Sequence, residues 1–274
     1  MQTEEWSKIW HNGQLNIELL QAHYIHHVYP RHSHDYYVIS LIERGNQSFT
    51  HKGTKHLTPP GGLILINPDE VHTGEAVDDQ GFEMRSLYPT TSHMEMAVFE
   101  MTGRHQALPF FKKVQVDQGW AVSSVLSLHR SITQGRSILE SESRFLSTLV
   151  QLVKRYADIY APEHKFGFEK QAVQQAIDYI EEFFAQGVSL FELAQHSALS
   201  PYYFLRVFRT EVGMPPYAYL ESVRIRHAQR LIVSGKSLAE VAIEVGFSSQ
   251  SHLTRSFKKI IGATPGQYAQ QIRS

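Results

Sequence analysis

Two sets of side chains in this 274-residue sequence have the types and the spacing to do chemistry. One is imidazole-rich. It contains His32-Ser33-His34-Asp35 and, further on, Asn67-Pro68 followed by His72. Three imidazoles gathered at one place could coordinate a divalent metal, or could hydrogen-bond an organic ligand. The other set is cationic. Arg206 and Arg255 occupy the same place in two copies of one pattern. A guanidinium can pair bidentately with guanine or hold a phosphate.

The elements that position the arginines come first. The run Ser189-Leu-Phe-Glu192-Leu-Ala194 matches Ser237-Leu-Ala-Glu240-Val-Ala242, and Gly213-x-x-Pro216-x-x-Tyr219 matches Gly262-x-x-Pro265-x-x-Tyr268, at an offset of 48 to 49 residues. A repeat of this period marks a duplicated supersecondary unit. Each copy opens on a serine with a glutamate three residues on, the capping box that satisfies free N–H groups at a helix start. Ser200-Pro201 restarts a helix with a capping hydroxyl and a proline at the first turn. Gly213 and Gly262 stand where a left-handed cap ends one. The copies, at about 189–213 and 237–262, therefore read as helix, turn, helix, with one helix of roughly 20 residues, about 30 Å long, between them.

A helix-turn-helix places its second helix in the DNA major groove; a pair of helical hairpins in another all-helical domain would share the pattern. Charge separates the two. Residues 200–274 hold ten basic and four acidic side chains in a chain whose formal charge is −1, which is an electrostatic footprint for phosphate. The readers expected on the first copy are Tyr202, Tyr203, Leu205, Arg206 and Arg209, over a core of Phe204, Val207 and Phe208. Those on the second are Gln250, Ser251, His252, Arg255 and Lys259, over Leu253, Phe257 and Ile260. The first copy offers fewer groups able to read bases. The sequence Ala239-Glu-Val-Ala242-x-x-x-Gly246-Phe247-x-x-x-Ser251-x-Leu253-x-Arg255-x-Phe257-Lys258 resembles the DNA-binding domain of AraC/XylS-type transcription regulators, over roughly residues 169–270.

The absence of cysteine removes disulfides, thiol chemistry and cysteine-ligated zinc. The first residues lack the basic-then-apolar order of a secretion signal, and no apolar run approaches 18 residues, so a cytoplasmic chain without a membrane span is expected.

Residues 14–88 read as short strands. Residues 15–20, 36–43 and 82–88 are rich in β-branched and aromatic side chains, and 62–67 is an apolar run suited to a strand buried on both sides. Turn signals lie at Arg44-Gly45-Asn46 and Lys52-Gly53. The phrases around His32, His34 and Tyr37, and Gly61-Gly62-x-x-x-x-Asn67-Pro68-x-x-x-His72, resemble the cupin barrel that serves many AraC-type regulators as effector domain. Metal-binding cupins, by the same resemblance, add a glutamate about four residues after the second histidine, and Val38 stands there. No cofactor is therefore assigned, with His32, His34 and His72 as the set a metal would use. The effector-binding residues expected are His32, His34, Tyr37, His72, Glu83 and Arg85. Glu83 and Arg85 share one side of their strand. Facing inward they would suit an amino-acid-like zwitterion; otherwise they pair or lie on the outer face.

Apolar residues at helical spacing follow over 120–130 and 140–154, with a linker at 156–167 and one more helix over 169–186. The expected whole is an α+β two-domain chain: a cupin-like effector domain at 1–117, a helical dimerisation and linker region at 118–165, and an AraC-type DNA-binding domain at 166–274. The resemblance implies a homodimeric regulator of promoter DNA, not an enzyme, that answers to a small-molecule effector and touches RNA polymerase if it activates. The competing readings are a barrel that only dimerises and a metal-dependent cupin enzyme.

Overall fold

The computed structural model describes residues 4–117, 119–159, 169–261 and 263–273. The expected cap at Gly262 and most of the expected linker lie outside them. Among the described residues, 4–133 with 144–159 form one compact unit, and 134–143 with 169–273 form the other.

The first unit opens with nine strands: β1 (Trp6–Asn12), β2 (Ile17–Tyr24), β3 (Tyr29–His32), β4 (Val38–Gly45), β5 (Gln47–His51), β6 (Thr54–Thr58), β7 (Leu63–Ile66), β8 (His72–Ala76) and β9 (Phe82–Tyr88). Helix α1 (Thr91–Thr102), the short strand β10 (Gln115–Val116) and helix α2 (Gly119–Thr133) follow, and then α3 (Ile138–Tyr156), which belongs to this unit from Arg144 onward and to the other up to Ser143. All strand pairings are antiparallel, in a six-stranded sheet ordered β1-β2-β9-β4-β7-β10 and a four-stranded sheet ordered β3-β8-β5-β6. Gly45 (φ 64°) turns β4 into β5. Lys52 and Gly53 (φ 49° and 78°) make the two-residue turn between β5 and β6, where both central residues need positive φ.

Leu20, Ala22, Val38, Ile42, Phe49, Ile64, Ile66, Phe82 and Met84 form one buried cluster drawn from both sheets. The six-stranded sheet also buries its other face: Ile39, Leu41, Leu63, Leu65 and Leu87 are inaccessible, and α2 packs over β4 and β9. That is why residues 63–66 are apolar without alternation.

A strap over residues 103–117 crosses the domain. Asn67 accepts the Phe111 amide at 2.8 Å and donates to its carbonyl at 3.0 Å. Tyr37 Oη donates to the Pro109 carbonyl at 2.7 Å. Phe111 pairs with Ala157 just past α3, and Lys112 meets Asp158 at 2.5 Å. The strap thus joins the turn before His72 to the end of α3.

The second unit contains α4 (Lys170–Phe183), α5 (Leu190–His196), α6 (Pro201–Val212), α7 (Pro216–Val233), α8 (Leu238–Glu244), α9 (Gln250–Ile261) and α10 (Pro265–Arg273). The caps form as the sequence dictates. Ser189 and Ser237 each complete a capping box, Ser200 accepts from the Tyr203 amide, and Gly213 ends α6 at φ 79°. In the same unit the Glu142 carboxylate accepts the Leu190 amide at 2.6 Å, so a residue of α3 caps α5.

Candidate effector cavity and nucleic-acid interface

Between the two sheets lies a cavity of about 460 Å³, counted to its open mouth. His32 on β3 and His72 on β8 come from the smaller sheet, and His34 from the segment that leads into β4. One ring nitrogen from each lies within 4.8 Å of those of the other two. His32 Nδ1 sits 2.7 Å from the Pro30 carbonyl oxygen, and His72 Nδ1 sits 2.9 Å from that of Glu70. A carbonyl can only accept, so each Nδ1 carries the proton and each Nε2 keeps a free lone pair. His34 stacks on Tyr36 with ring centroids 4.6 Å apart. Burial, then the neighbouring His32 and His72, pull the His34 pKa down to about 4, and burial also lowers that of His72. Both rings are therefore neutral at pH 7.

The walls behind the imidazoles are apolar, from Val38, Phe49, Ile64, Ile66 and Met84. Polar groups come from Tyr29, Ser40, Gln47, Thr73 and Tyr88. Burial raises the pKa of both tyrosines, so their hydroxyls stay protonated.

Three residues expected in the cavity are elsewhere. On β9 the positions that line or approach the cavity are Phe82, Met84 and Tyr88, so Glu83 and Arg85 project from the opposite face. Arg85 donates to Glu43 at 2.6 Å and reaches His129 of α2 at 3.3 Å. Glu83 accepts from Gln21 at 3.1 Å. Tyr37 stands just before β4, out of phase with Val38 and Ser40 that face the cavity; its ring packs against Phe111. The sequence reading missed Tyr29, Ser40, Gln47, Thr73 and Tyr88. The signal available was phase: Tyr88 and Ser40 share theirs with apolar Met84 and Val38.

The helix-turn-helix pairs are α5–α6 and α8–α9. On α9, Gln250, Ser251, Arg255 and Lys259 are exposed, and Lys259 also meets Glu221 of α7 at 3.0 Å. Lys258, not among the expected readers, is exposed beside them. His252 is a correction. It is buried, packs on Phe247 with centroids 5.0 Å apart and sits 3.1 Å from Ser248 Oγ, so it braces the turn. Ile260, expected in the core, is 39% exposed. On α6, Arg209 is exposed, Tyr203 and Arg206 are half-buried, and the Arg206 guanidinium lies 5.8 Å from the Tyr202 ring centre. Tyr202 and Leu205 are buried, so they belong to the core and not to a reading face.

The AraC-like ligand binding domain family matches residues 14–149, and a helix-turn-helix domain family matches residues 193–271. The HTH-type transcriptional regulator YbfI of Bacillus subtilis (strain 168) is 33% identical over 243 residues, which cover 87% of this chain and 86% of that protein. The chain belongs to the AraC family of transcription regulators. The arabinose operon regulatory protein of Salmonella typhimurium is 27% identical over 241 residues, 85% of this chain and 83% of that one. Among solved structures, the C-terminal domain of AraT, a response regulator from Geobacillus stearothermophilus, is 30% identical with a TM-score of 0.35, covering 36% of this chain and 84% of that one. As an AraC-family member the chain is a DNA-binding transcription regulator with an N-terminal ligand-binding domain. No described helix is long and apolar enough to cross a membrane.

Proposed function

We propose that this AraC-family regulator takes a small molecule into the cavity between its sheets and alters its hold on promoter DNA in response. DNA is read by the exposed sides of α6 and α9: Tyr203, Arg206 and Arg209 on the first, Gln250, Ser251, Arg255 and Lys259 on the second. The observation that carries this is the twice-built helix-turn-helix on either side of α7. That helix has 18 residues and is therefore about 27 Å long, near the roughly 34 Å of one DNA turn. The work is binding and not catalysis, and the chain acts as a cytoplasmic homodimer. The helical region of α2 and α3 supplies the dimer face. RNA polymerase becomes a partner if the outcome is activation.

The strap supplies a route for the signal within the first unit. A ligand against His72 bears on the 67–72 turn, Asn67 of that turn holds Phe111, and Phe111 pairs with Ala157 where the chain leaves for the DNA-binding domain. A ligand shifts the equilibrium only by binding one arrangement better than another.

The test is selection of binding sites from randomised duplex DNA by the full chain and by Arg255→Ala. The wild type should select a site. The variant should lose about 1–3 kcal/mol of discrimination at one base position, with the other positions unchanged. Equal weakening on every sequence would assign Arg255 to phosphate, and a wild type without sequence preference would overturn the reading.

A further inference from the structure

We propose that the cavity holds one divalent transition-metal ion on His32, His34 and His72, and that the effector is a small carboxylate with a short apolar tail that completes the ion's coordination. The inference rests on the effector reading above and specifies its chemistry.

The three imidazoles are already arranged as ligands. Their donor atoms lie within 4.8 Å of one another. Bonds of about 2.0–2.1 Å to a shared ion require nitrogens roughly 3.4 Å apart, so binding draws the three rings closer together. His32 and His72 each donate Nδ1–H to a backbone carbonyl, at 2.7 and 2.9 Å. This is the outer support that metal-ligating histidines use to fix ring orientation and present Nε2. The Tyr36 ring, stacked on His34, fixes the third plane. Neutral imidazoles suit zinc, nickel, cobalt, copper or iron rather than magnesium or calcium.

The effector class follows from what surrounds the set. Val38 stands on the cavity wall, and among the described residues lining the cavity none is acidic and none is lysine or arginine. Asp35, next to His34 in sequence, is exposed and is not among the lining residues. A doubly charged ion here has three imidazole ligands and no carboxylate among the residues that line the cavity; Asp35 and Glu70, whose charges are felt at His34 and His72, are not lining residues. Such a charge against apolar walls calls for an anionic partner, and the open positions leave the ligand to bring it. Val38, Phe49, Ile64, Ile66 and Met84 then receive an apolar tail. Gln47 Oε1 is buried on the same wall without a hydrogen-bond partner, an acceptor for a hydroxyl beside the carboxylate.

The experiment uses the full chain, stripped by chelation and titrated with Co²⁺, whose visible absorption reports coordination directly. One equivalent should bind in the wild type. His34→Ala and His72→Ala should each weaken binding at least 100-fold while keeping the wild-type circular dichroism. His26→Ala, a surface control, should bind as the wild type does. Adding butyrate or 2-hydroxybutyrate to the loaded chain should shift the spectrum, with the hydroxy acid tighter, and 1-butanol should leave it unchanged. A wild type that binds no more Co²⁺ than His34→Ala overturns the metal site. A loaded chain whose spectrum no carboxylate moves overturns the effector class. DNA selection by the full chain is measured in parallel, metal-free, Co²⁺-loaded and Co²⁺-loaded with carboxylate: failure in every state would count against the regulator reading and leave the metal result standing.

Discussion

Replacing His129 with glutamine should remove an acid sensitivity that is built into the packing of α2 on the six-stranded sheet. The ring is fully buried. Its Nε2 lies 3.2 Å from the Leu20 carbonyl and its Nδ1 3.3 Å from Arg85 Nη1. A carbonyl only accepts and a guanidinium only donates, so both contacts are made by the neutral ring. Protonating Nδ1 would aim an N–H at the Arg85 cation, which Glu43 already holds at 2.6 Å. Burial first, then Arg85, depress the His129 pKa from 6.5 to about 4. Between those values the unfolded chain binds a proton that the folded chain refuses. The stabilisation is therefore complete above about pH 6.5 and is lost as the pH falls towards 4. At pH 5 the loss is about 2 kcal/mol, or roughly a 1 M fall in a urea midpoint. Glutamine can donate to Leu20 and accept from Arg85 but does not titrate. Urea unfolding followed by tryptophan fluorescence suits the test, because Trp10 packs edge-on against this ring at 5.6 Å. Between pH 7 and pH 5 the wild type should lose about 2 kcal/mol more than His129→Gln. Parallel losses in the two proteins would refute the assignment.

Two further substitutions probe single positions. Asn67→Ala strips partners from the buried amide and carbonyl of Phe111. It should cost about 2–4 kcal/mol, seen as faster hydrogen exchange at the Phe111 amide with the strands of the six-stranded sheet unaffected. Gly246→Ala and Gly213→Ala form a pair. Both glycines have positive φ, 82° and 79°, but a Cβ at Gly246 would meet the Ala185 carbonyl oxygen at 2.5 Å, whereas Gly213 has nothing within 4 Å. Gly213→Ala should cost about 1 kcal/mol, and Gly246→Ala at least twice that, read as the drop in melting temperature; equal drops would mean that the close approach is not felt.

The parts of this chain legible in its sequence are those specified by neighbours a few residues apart. Ser189 with Glu192, and Ser237 with Glu240, need only each other to start a helix, so the paired helix-turn-helix was readable. The strand at 63–66 declared its two buried faces by lacking alternation. The errors arose where a choice depends on what lies across the fold. Alternation on 82–88 shows that Glu83 and Arg85 share a face, but helices cover one side of that sheet and a second sheet covers the other. Both phases therefore carry buried residues, Met84 and Leu87 alike, and pattern alone cannot say which side holds the cavity. Tyr202, Leu205 and His252 fall on the surface side of a helix wheel because the wheel assumes one buried stripe. In a small helical domain, α6 and α9 are each flanked by more than one neighbour, and the stripe widens.

The same distinction bears on how the regulator works. The helices of its paired helix-turn-helix start on local caps, which a ligand cannot easily disturb. The strap has no local specification: Asn67 and Phe111 are 44 residues apart, and Tyr37 and Pro109 are 72 apart. Its anchoring rests on a few long-range hydrogen bonds and on Glu70. Burial pushes the Glu70 carboxyl up, but Lys52 and Asn67 outweigh that and hold it ionised. Those anchors are few, and one of them, Asn67, lies five residues from His72.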